Sequence, residues 1–287
     1  MSAFETLLLE RRDGVALLGL NRPKARNAID ETLRAELPRA LAEVRDDESV
    51  RAVVLYGVGG HFCAGGDLRA MSARPRTAYE SRQRIHAVHA WLPEWVNLEK
   101  PLIAAVDGSA FGGGFSLALT ADFVLASTRA SFCQVFARIG LVPDMAALYL
   151  LPRIVGLQRA KDLMLSARVV AASEAQQLGI VHSLYKPDEL LEAAIRFAAR
   201  FTEASPIAMG LTKSILNQSM HLDQKALAEL ECFAQGLCMD SAYHREAVQS
   251  FLAGEPLGFL WPKEGEAPAV PQKQEAPAVL REKGDVE

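Results

Sequence analysis

The sequence predicts an α/β fold with mostly parallel strands, and three observations carry this prediction. Short β-branched runs alternate with segments of helical periodicity over the first part of the chain. Glycine-rich turns follow two of the strand-like runs, and the chain after residue 205 is helical with almost no strand signal. Strands that alternate with helices are typical of a sheet whose faces are covered by helices.

The amino-terminal part predicts a β-hairpin followed by a helix. Leu7–Glu10 and Val15–Leu20 flank a turn at Arg12–Gly14, a pattern typical of two antiparallel strands. Asp30–Asp46 has apolar residues at helical spacing, with Asp30 as a plausible N-cap. Three further apolar runs predict buried strands: Ala52–Tyr56, Leu102–Val106 and Phe123–Ala126.

The carboxyl-terminal part changes character. Pro187–Glu203 and Ile207–Leu252 are amphipathic and helical, and we place a boundary near Ser205-Pro206. We therefore expect a core over residues 1–205 and a helical region over residues 206–262. Residues 263–287 repeat EAPAV and hold almost no large apolar side chain, which predicts a disordered tail.

Composition narrows the class of protein. The 287 residues carry a net charge of −4, half are apolar and 23% are charged, which excludes a fibre or a disordered chain. The mild acidity argues against nucleic-acid binding. The cysteines form no CxxC pair, and no metal site is expected.

No signal peptide or membrane span is predicted, so we expect a cytoplasmic protein without a membrane partner.

Two glycine-rich segments carry the strongest chemical signal: His61–Leu68 and Asp107–Ser116. A helix that begins at a glycine run directs unpaired N–H groups outward. Two such turns facing each other could form an oxyanion hole, and the alternative is that both are tight turns between packed elements. Neither matches GxGxxG or GxxxxGK[ST], which disfavours a nucleotide site of either kind.

Four motifs then appear in a specific order: Asn21–Ala28 (NRPKARNA), Phe62–Asp67 (FCAGGD), Pro101–Gly108 followed by FGGGF, and Leu151–Gly156 (LPRIVG). With them the chain resembles the enoyl-CoA hydratase/isomerase (crotonase) superfamily over roughly residues 5–260. The resemblance implies a crotonase-like spiral of ββα repeats with a C-terminal helical trimerisation region. It also implies a homotrimer, or a hexamer built as a dimer of trimers. The substrate would be an acyl-CoA thioester, with coenzyme A as part of the substrate and no tightly bound cofactor.

By this resemblance, the backbone N–H groups of Gly66 and Gly113 hold the thioester carbonyl. One such donor can be worth about 3–4 kcal/mol in the transition state. Arg22, Lys24 and Arg26 suit an anionic ligand, although a solvated basic turn is the alternative. The positions that match the coenzyme A site are Lys24, Ala25, Arg26, Ala28, Ala64, Asp67 and Leu68.

The sequence departs from the family where hydratases carry two glutamates, because those positions here are Ser116 and Phe136. Neither side chain can replace a carboxylate in adding water to a double bond. Asp144 instead stands where the family's double-bond isomerases place the acid that shuttles a proton. Its alternative role is the N-cap of the following helix. We therefore expect an enoyl-CoA isomerase with Asp144 as its base.

His89 supports a second hypothesis. The superfamily's 4-chlorobenzoyl-CoA dehalogenases have a histidine at this position and an aspartate at that of Asp144. There the aspartate attacks the aromatic ring and the histidine activates water. Two further alternatives stay open: hydration of an enoyl-CoA, and a non-catalytic acyl-CoA-binding protein that has lost its acids. Residues 70–87 are expected to form the wall of the acyl pocket.

Overall fold

The computed structural model describes residues 4–261, which form a mixed α/β structure. The predicted tail, residues 263–287, lies outside the described residues. The strands are β1 (Leu7–Arg12), β2 (Val15–Leu20), β3 (Ala52–Gly57), β4 (Leu102–Val106), β5 (Ser109–Phe111), β6 (Phe123–Ser127), β7 (Ser131–Cys133), β8 (Val170–Ala171) and β9 (Ser183–Tyr185). The α-helices are α1 (Glu31–Asp46), α2 (Leu68–Ser72), α3 (Ala78–His89), α4 (Leu92–Val96), α5 (Gly113–Leu119), α6 (Ala147–Val155), α7 (Leu157–Ser166), α8 (Ala172–Gln177), α9 (Leu190–Ala199), α10 (Pro206–Gln218), α11 (Gln224–Met239) and α12 (Ala242–Ala253).

The main sheet has six strands in the order β1-β2-β3-β4-β6-β9. The predicted hairpin is present: β1 and β2 pair antiparallel, with Arg12 opposite Val15. Asp13 and Gly14 both have positive φ, +48° and +80°, as a two-residue turn matched to the strand twist requires. Every other pairing in this sheet is parallel.

Both faces of the main sheet are covered, which explains why its central strands are apolar throughout. In β2, Ala16 and Leu18 face the core that includes α1. Val15 and Leu17 face the second core, against α9. Asp30 caps α1 by accepting a hydrogen bond from Leu33 N at 2.8 Å, as its sequence position predicts.

A second, three-stranded sheet in the order β5-β7-β8 was not foreseen. β5 is only three residues long and lies inside the second glycine-rich segment, immediately before α5. Its pairing with β7 holds Phe111 opposite Cys133. The small sheet therefore fixes where α5 begins.

The carboxyl-terminal part is helical, but in shorter pieces than expected. The predicted helix Pro187–Glu203 is confined to α9, and Ile207–Leu252 divides into α10, α11 and α12. Asp223 and Ser241 break the run because each caps the next helix through its side chain. Ser205 caps α10 at the predicted boundary. Within residues 4–261, no helix is long and apolar enough to cross a membrane.

Candidate active site

The two glycine-rich turns lie side by side, joined through their main chains. Cys63 N donates to Ser109 O, and Phe111 N donates to Cys63 O, both at 2.9 Å. A Cβ on Gly114 would lie 2.2 Å from Cys63 O, and one on Gly65 would lie 2.6 Å from Phe111 O. Real side chains do not tolerate such contacts, so glycine permits this approach.

The backbone N–H groups of Gly66 and Gly113 are left without partners. Neither donates a hydrogen bond to any group among residues 4–261. Gly113 is the first residue of α5, where helix geometry supplies no intrahelical acceptor. The N–H of Gly66 stays unpaired because its two neighbours make the hydrogen bonds to Ile29. Ile29 N donates to Gly65 O, and Asp67 N donates to Ile29 O. The sequence-predicted donors are thus brought to one place.

Both glycines line a cavity of about 620 Å³. Its walls come from α1, the two turns, the segment from Met71 to Val88 and the segment from Val135 to Met145. The stretch expected to form the acyl wall therefore contributes to it. Apolar and aromatic side chains predominate, as in most sites for small molecules. They include Ile29, Leu37, Ile85, Trp91, Phe136 and Met145.

Asp144 is the single acidic side chain in the cavity lining, as far as the described residues show. It is half-buried. Burial raises the pKa of its carboxyl above the ordinary value, and the charges of His89, Arg84 and Arg34 oppose that shift. A raised pKa is one way in which a carboxylate becomes an effective general base.

The alternative role of Asp144 as a helix N-cap is wrong. Helix α6 begins at Ala147, and its N-cap position is Ala146. Met145 and Ala146 both have positive φ, +51° and +62°, which separates Asp144 from the helix. Only the Asp144 backbone carbonyl takes part, accepting from Ala147 N at 3.1 Å. The carboxylate is thus not committed to the helix.

The other residues considered for chemistry lie in different surroundings. Ser116 is fully buried, its Oγ donates to Gly112 O at 3.1 Å, and it does not line the cavity. Phe136 does line the cavity. His89 is exposed at the end of α3 and outside the lining, although its charge acts on Asp144. Burial raises the pKa of the Cys63 thiol to about 12, which suits packing rather than reactivity.

The predicted coenzyme A segment adjoins the first turn. Ala64 N donates to Arg26 O at 2.9 Å, and Ala64 and Leu68 also line the cavity. Lys24 and Arg26 are exposed, and their side chains have no ion pair with another described residue. Ala25 lies between these two residues, and Ala28 follows Arg26 by two positions in the same turn.

Arg22 is not a free member of the expected basic cluster. Its guanidinium contacts Asp30 at 2.9 Å and Asp67 at 3.1 Å, because the fold brings the two carboxylates together beside it. Asp67 also accepts from Arg69 N and Ala70 N and so caps α2. The free positive charge of this turn therefore resides on Lys24 and Arg26.

Sequence reasoning expected residues 70–87 in the wall but singled out none of the four arginines that line the cavity: Arg34 on α1, Arg84 on α3, and Arg74 and Arg76 between α2 and α3. It also missed Asn27, which is buried with φ +56° and donates to Val58 O and His61 O. The available signal for Arg34 was its place one turn before Leu37, on a face that is otherwise apolar. Arg84 had a weaker signal because α3 is mostly exposed.

Comparison with known proteins agrees with this geometry. The sequence model of the family described as "Enoyl-CoA hydratase/isomerase" matches residues 10–260. A crystal structure of enoyl-CoA hydratase/isomerase from Cupriavidus metallidurans superposes with a TM-score of 0.85 at 40% identity, over 92% of this chain and 99% of that one. The crotonase-like α/β fold implied by the resemblance is therefore confirmed.

Two curated relatives are similar over most of their length. Crotonyl-CoA hydratase of Syntrophomonas wolfei is 34% identical over 90% of this chain and 99% of its own. 1,2-Epoxyphenylacetyl-CoA isomerase of Escherichia coli is 32% identical over 87% of this chain and 96% of its own. From the family match and these identities, the chain belongs to the enoyl-CoA hydratase/isomerase family.

Proposed function

We propose that this family member moves a carbon–carbon double bond of an enoyl-CoA thioester from the β,γ to the α,β position. The observation that carries the proposal is that Asp144 has the one carboxylate among the described residues that line the cavity. Hydration needs one group to activate water and another to protonate carbon. Ser116 and Phe136 supply neither. A hydratase name among the relatives therefore does not by itself decide the reaction of this chain.

In the proposed mechanism, the Asp144 carboxylate removes a proton from the α-carbon of the substrate. The electron pair of that C–H bond moves onto the thioester carbonyl, giving a dienolate. The partnerless N–H groups of Gly66 and Gly113 donate to the oxygen that gains the charge. Protonated Asp144 then returns the proton to the γ-carbon, and the carbonyl re-forms. The reaction consumes no water and needs no second acid.

Coenzyme A would lie along the turn that adjoins the cavity. Lys24 and Arg26 are free cations there and suit its phosphates. Ala25, Ala28, Ala64 and Leu68 shape the surface, and Asp67 holds the turn through Arg22. We further propose that α10, α11 and α12 assemble the protein into trimers or hexamers.

The test is an ultraviolet assay of the purified protein with a β,γ-enoyl-CoA and, separately, an α,β-enoyl-CoA. We expect absorbance of the conjugated thioester to rise with the first substrate. Asp144→Asn should lower turnover by about 10²–10⁴-fold, the usual contribution of a general base. The matched control is Asp188→Asn, an exposed aspartate remote from the cavity lining, which should retain full turnover.

Other outcomes select the alternatives. Loss of conjugation in the α,β-enoyl-CoA would mean that water is added, and full activity of Asp144→Asn would remove the proposed base. Tight binding without turnover of any acyl-CoA would identify a binding protein.

One second candidate, hydrolytic aryl-CoA chemistry, is supported by His89 lying close enough to lower the pKa of Asp144, whereas the exposure of His89 outside the cavity lining disfavours it. Asp144 would attack the ring carbon that bears the leaving group and expel it as an anion. Water activated by His89 would then cleave the aryl ester and regenerate the carboxylate. This candidate requires a covalent aryl–Asp144 species in mass spectra after mixing with a halogenated aryl-CoA, and its absence would exclude it.

A further inference from the structure

Two guanidinium groups in the cavity wall have no hydrogen-bond or ion-pair partner among residues 4–261. Arg34 reaches the cavity from α1 and Arg84 from α3. Arg34 Nη2 and Arg84 Nε are buried without any hydrogen-bond partner. Buried polar donors in folded proteins are nearly always satisfied, so two such donors in one cavity require an explanation.

The neighbouring arginines of the wall are, by contrast, neutralised. Arg74 pairs with Glu80 at 3.0 Å, and Arg76 pairs with Glu31 at 2.9 Å. Within residues 4–261, Arg34 and Arg84 form no ion pair. Asp144 acts on both only at a distance and makes a hydrogen bond to neither. Glu31 and Asp30 also act on these guanidiniums only through space. Among the described residues, the two positive charges therefore have no direct counter-ion, and Asp144 is the single carboxylate of the cavity lining.

The surroundings make this excess charge costly. Arg34 and Arg84 share the wall with Leu37, Ile85 and Val88, all apolar. Burial lowers the pKa of both guanidiniums, and their mutual repulsion lowers that of Arg34 further. An unpaired charge in apolar surroundings destabilises a protein until a counter-ion arrives. An anionic ligand in this cavity would supply that counter-ion.

We infer that the acyl group of the substrate carries a carboxylate at the end remote from the thioester, and that Arg34 and Arg84 bind it. The inference rests on the proposed function for the position of the thioester at Gly66 and Gly113. Guanidinium groups bind carboxylates through paired, charge-assisted hydrogen bonds. The free cations Lys24 and Arg26 lie outside the cavity lining and suit the coenzyme A phosphates, which leaves the arginines of the cavity for the acyl end.

The experiment compares β,γ-enoyl-CoAs of equal chain length that end in a carboxylate or in a methyl group, from hexenoyl to decenoyl. We expect the carboxylated series to be the better substrates by kcat/KM. Arg34→Met and Arg84→Met should each reduce this preference by about ten- to hundredfold, the range of one charge-assisted hydrogen bond. Turnover of the methyl-terminated series should fall by less, because loss of either cation affects it only through the pKa of Asp144.

The matched control is Arg82→Met, an exposed arginine on the same helix as Arg84 that does not line the cavity. It should leave both substrate series unchanged. Equal activity of wild type toward the two series, or a loss in Arg84→Met that is the same for both, would overturn the inference.

Binding of saturated acyl-CoAs separates this inference from the proposed reaction, because no chemistry is needed. Calorimetry should show tighter binding of the ω-carboxylated acyl-CoA to wild type, and the advantage should disappear in Arg84→Met. That result with no isomerase turnover would retain the anion site and reject the isomerase. If Arg84→Met weakens free coenzyme A as much as the carboxylated thioester, the arginines bind the coenzyme and the inference is wrong.

Discussion

Asp144 lies where its charged form is disfavoured, and this has a measurable effect on stability. The raised pKa means that the native state keeps the proton over a pH range in which the unfolded chain has lost it. The free energy of unfolding therefore falls as pH rises from the ordinary value through the raised one. Above the raised pKa the full penalty is present.

We expect Asp144→Asn to raise Tm at neutral pH while abolishing the proposed activity, because the amide carries no charge to bury. The advantage over wild type should vanish at low pH, where Asp144 is protonated. Thermal unfolding of both proteins between about pH 4 and 8 measures this difference. A variant that is less stable than wild type at neutral pH would contradict it.

The same shift predicts the pH dependence of turnover. A general base acts only when deprotonated, so activity should fall on the acid side with a midpoint above the ordinary aspartate value of 3.8. The kcat/KM profile of wild type measures the midpoint. A midpoint at or below the ordinary value would argue against Asp144 as the titrating group.

A role that depends on neighbours in sequence could be predicted from the residues alone. A role that depends on how distant helices pack could not. Asp30 as an N-cap needs only its neighbours in sequence, and the structure confirms it. Arg34 and Arg84 belong to helices whose charged residues are ordinarily assigned to solvent. Only the arrangement of α1 and α3 around one cavity shows otherwise.

Among the elements, the contact between the two glycine-rich turns is the tightest constraint. The main chain at Gly114 approaches Cys63 so closely that even a methyl group has no room. The nearest atoms are the backbone oxygen and the Cβ of Cys63, which is buried, so neither can move without a large energetic cost. The position of α5 relative to the first turn therefore depends on this glycine.

We expect Gly114→Ala to lower the free energy of unfolding by at least about 1–3 kcal/mol, the usual cost of overpacking. Gly236→Ala is the matched control, since nothing lies within 4 Å of a Cβ there and the residue is inside α11. It should stabilise the protein by about 0.5–1 kcal/mol. Urea unfolding distinguishes the two, and equal midpoints would refute the packing argument.

Strands with a continuous apolar run were predictable, as β4 shows by matching its expected bounds, Leu102–Val106. β5 was missed because three residues between glycine turns carry no periodic pattern. Its existence depends on pairing with β7. Similarly, the run Ile207–Leu252 looked continuous because its internal caps, Asp223 and Ser241, are ordinary polar residues until a helix begins beside them.

For the whole molecule, the C-terminal helices leave apolar surface uncovered. Phe233 and Leu237 on α11 and Phe251 and Leu252 on α12 are each at least 60% exposed. Monomers seldom expose large apolar side chains in such numbers on neighbouring helices. This agrees with the proposed trimer or hexamer.

We expect light scattering to give the mass of three or six protomers. The double variant Phe233→Glu, Phe251→Glu should shift the mass towards the monomer, since each buried phenylalanine contributes about 1.5–3 kcal/mol. Tyr79→Glu is the control, because it adds charge at an exposed aromatic residue on α3. A wild-type monomer at all concentrations would contradict the proposed assembly.

The two partnerless N–H groups at Gly66 and Gly113 belong to the main chain, so of all single substitutions only proline removes one of them. Substitutions around the cavity can then exchange one acid for another, or remove it, while these two donors stay in place. The chain can therefore diverge to new reactions, in nature or in directed evolution, without losing these two donors at any step.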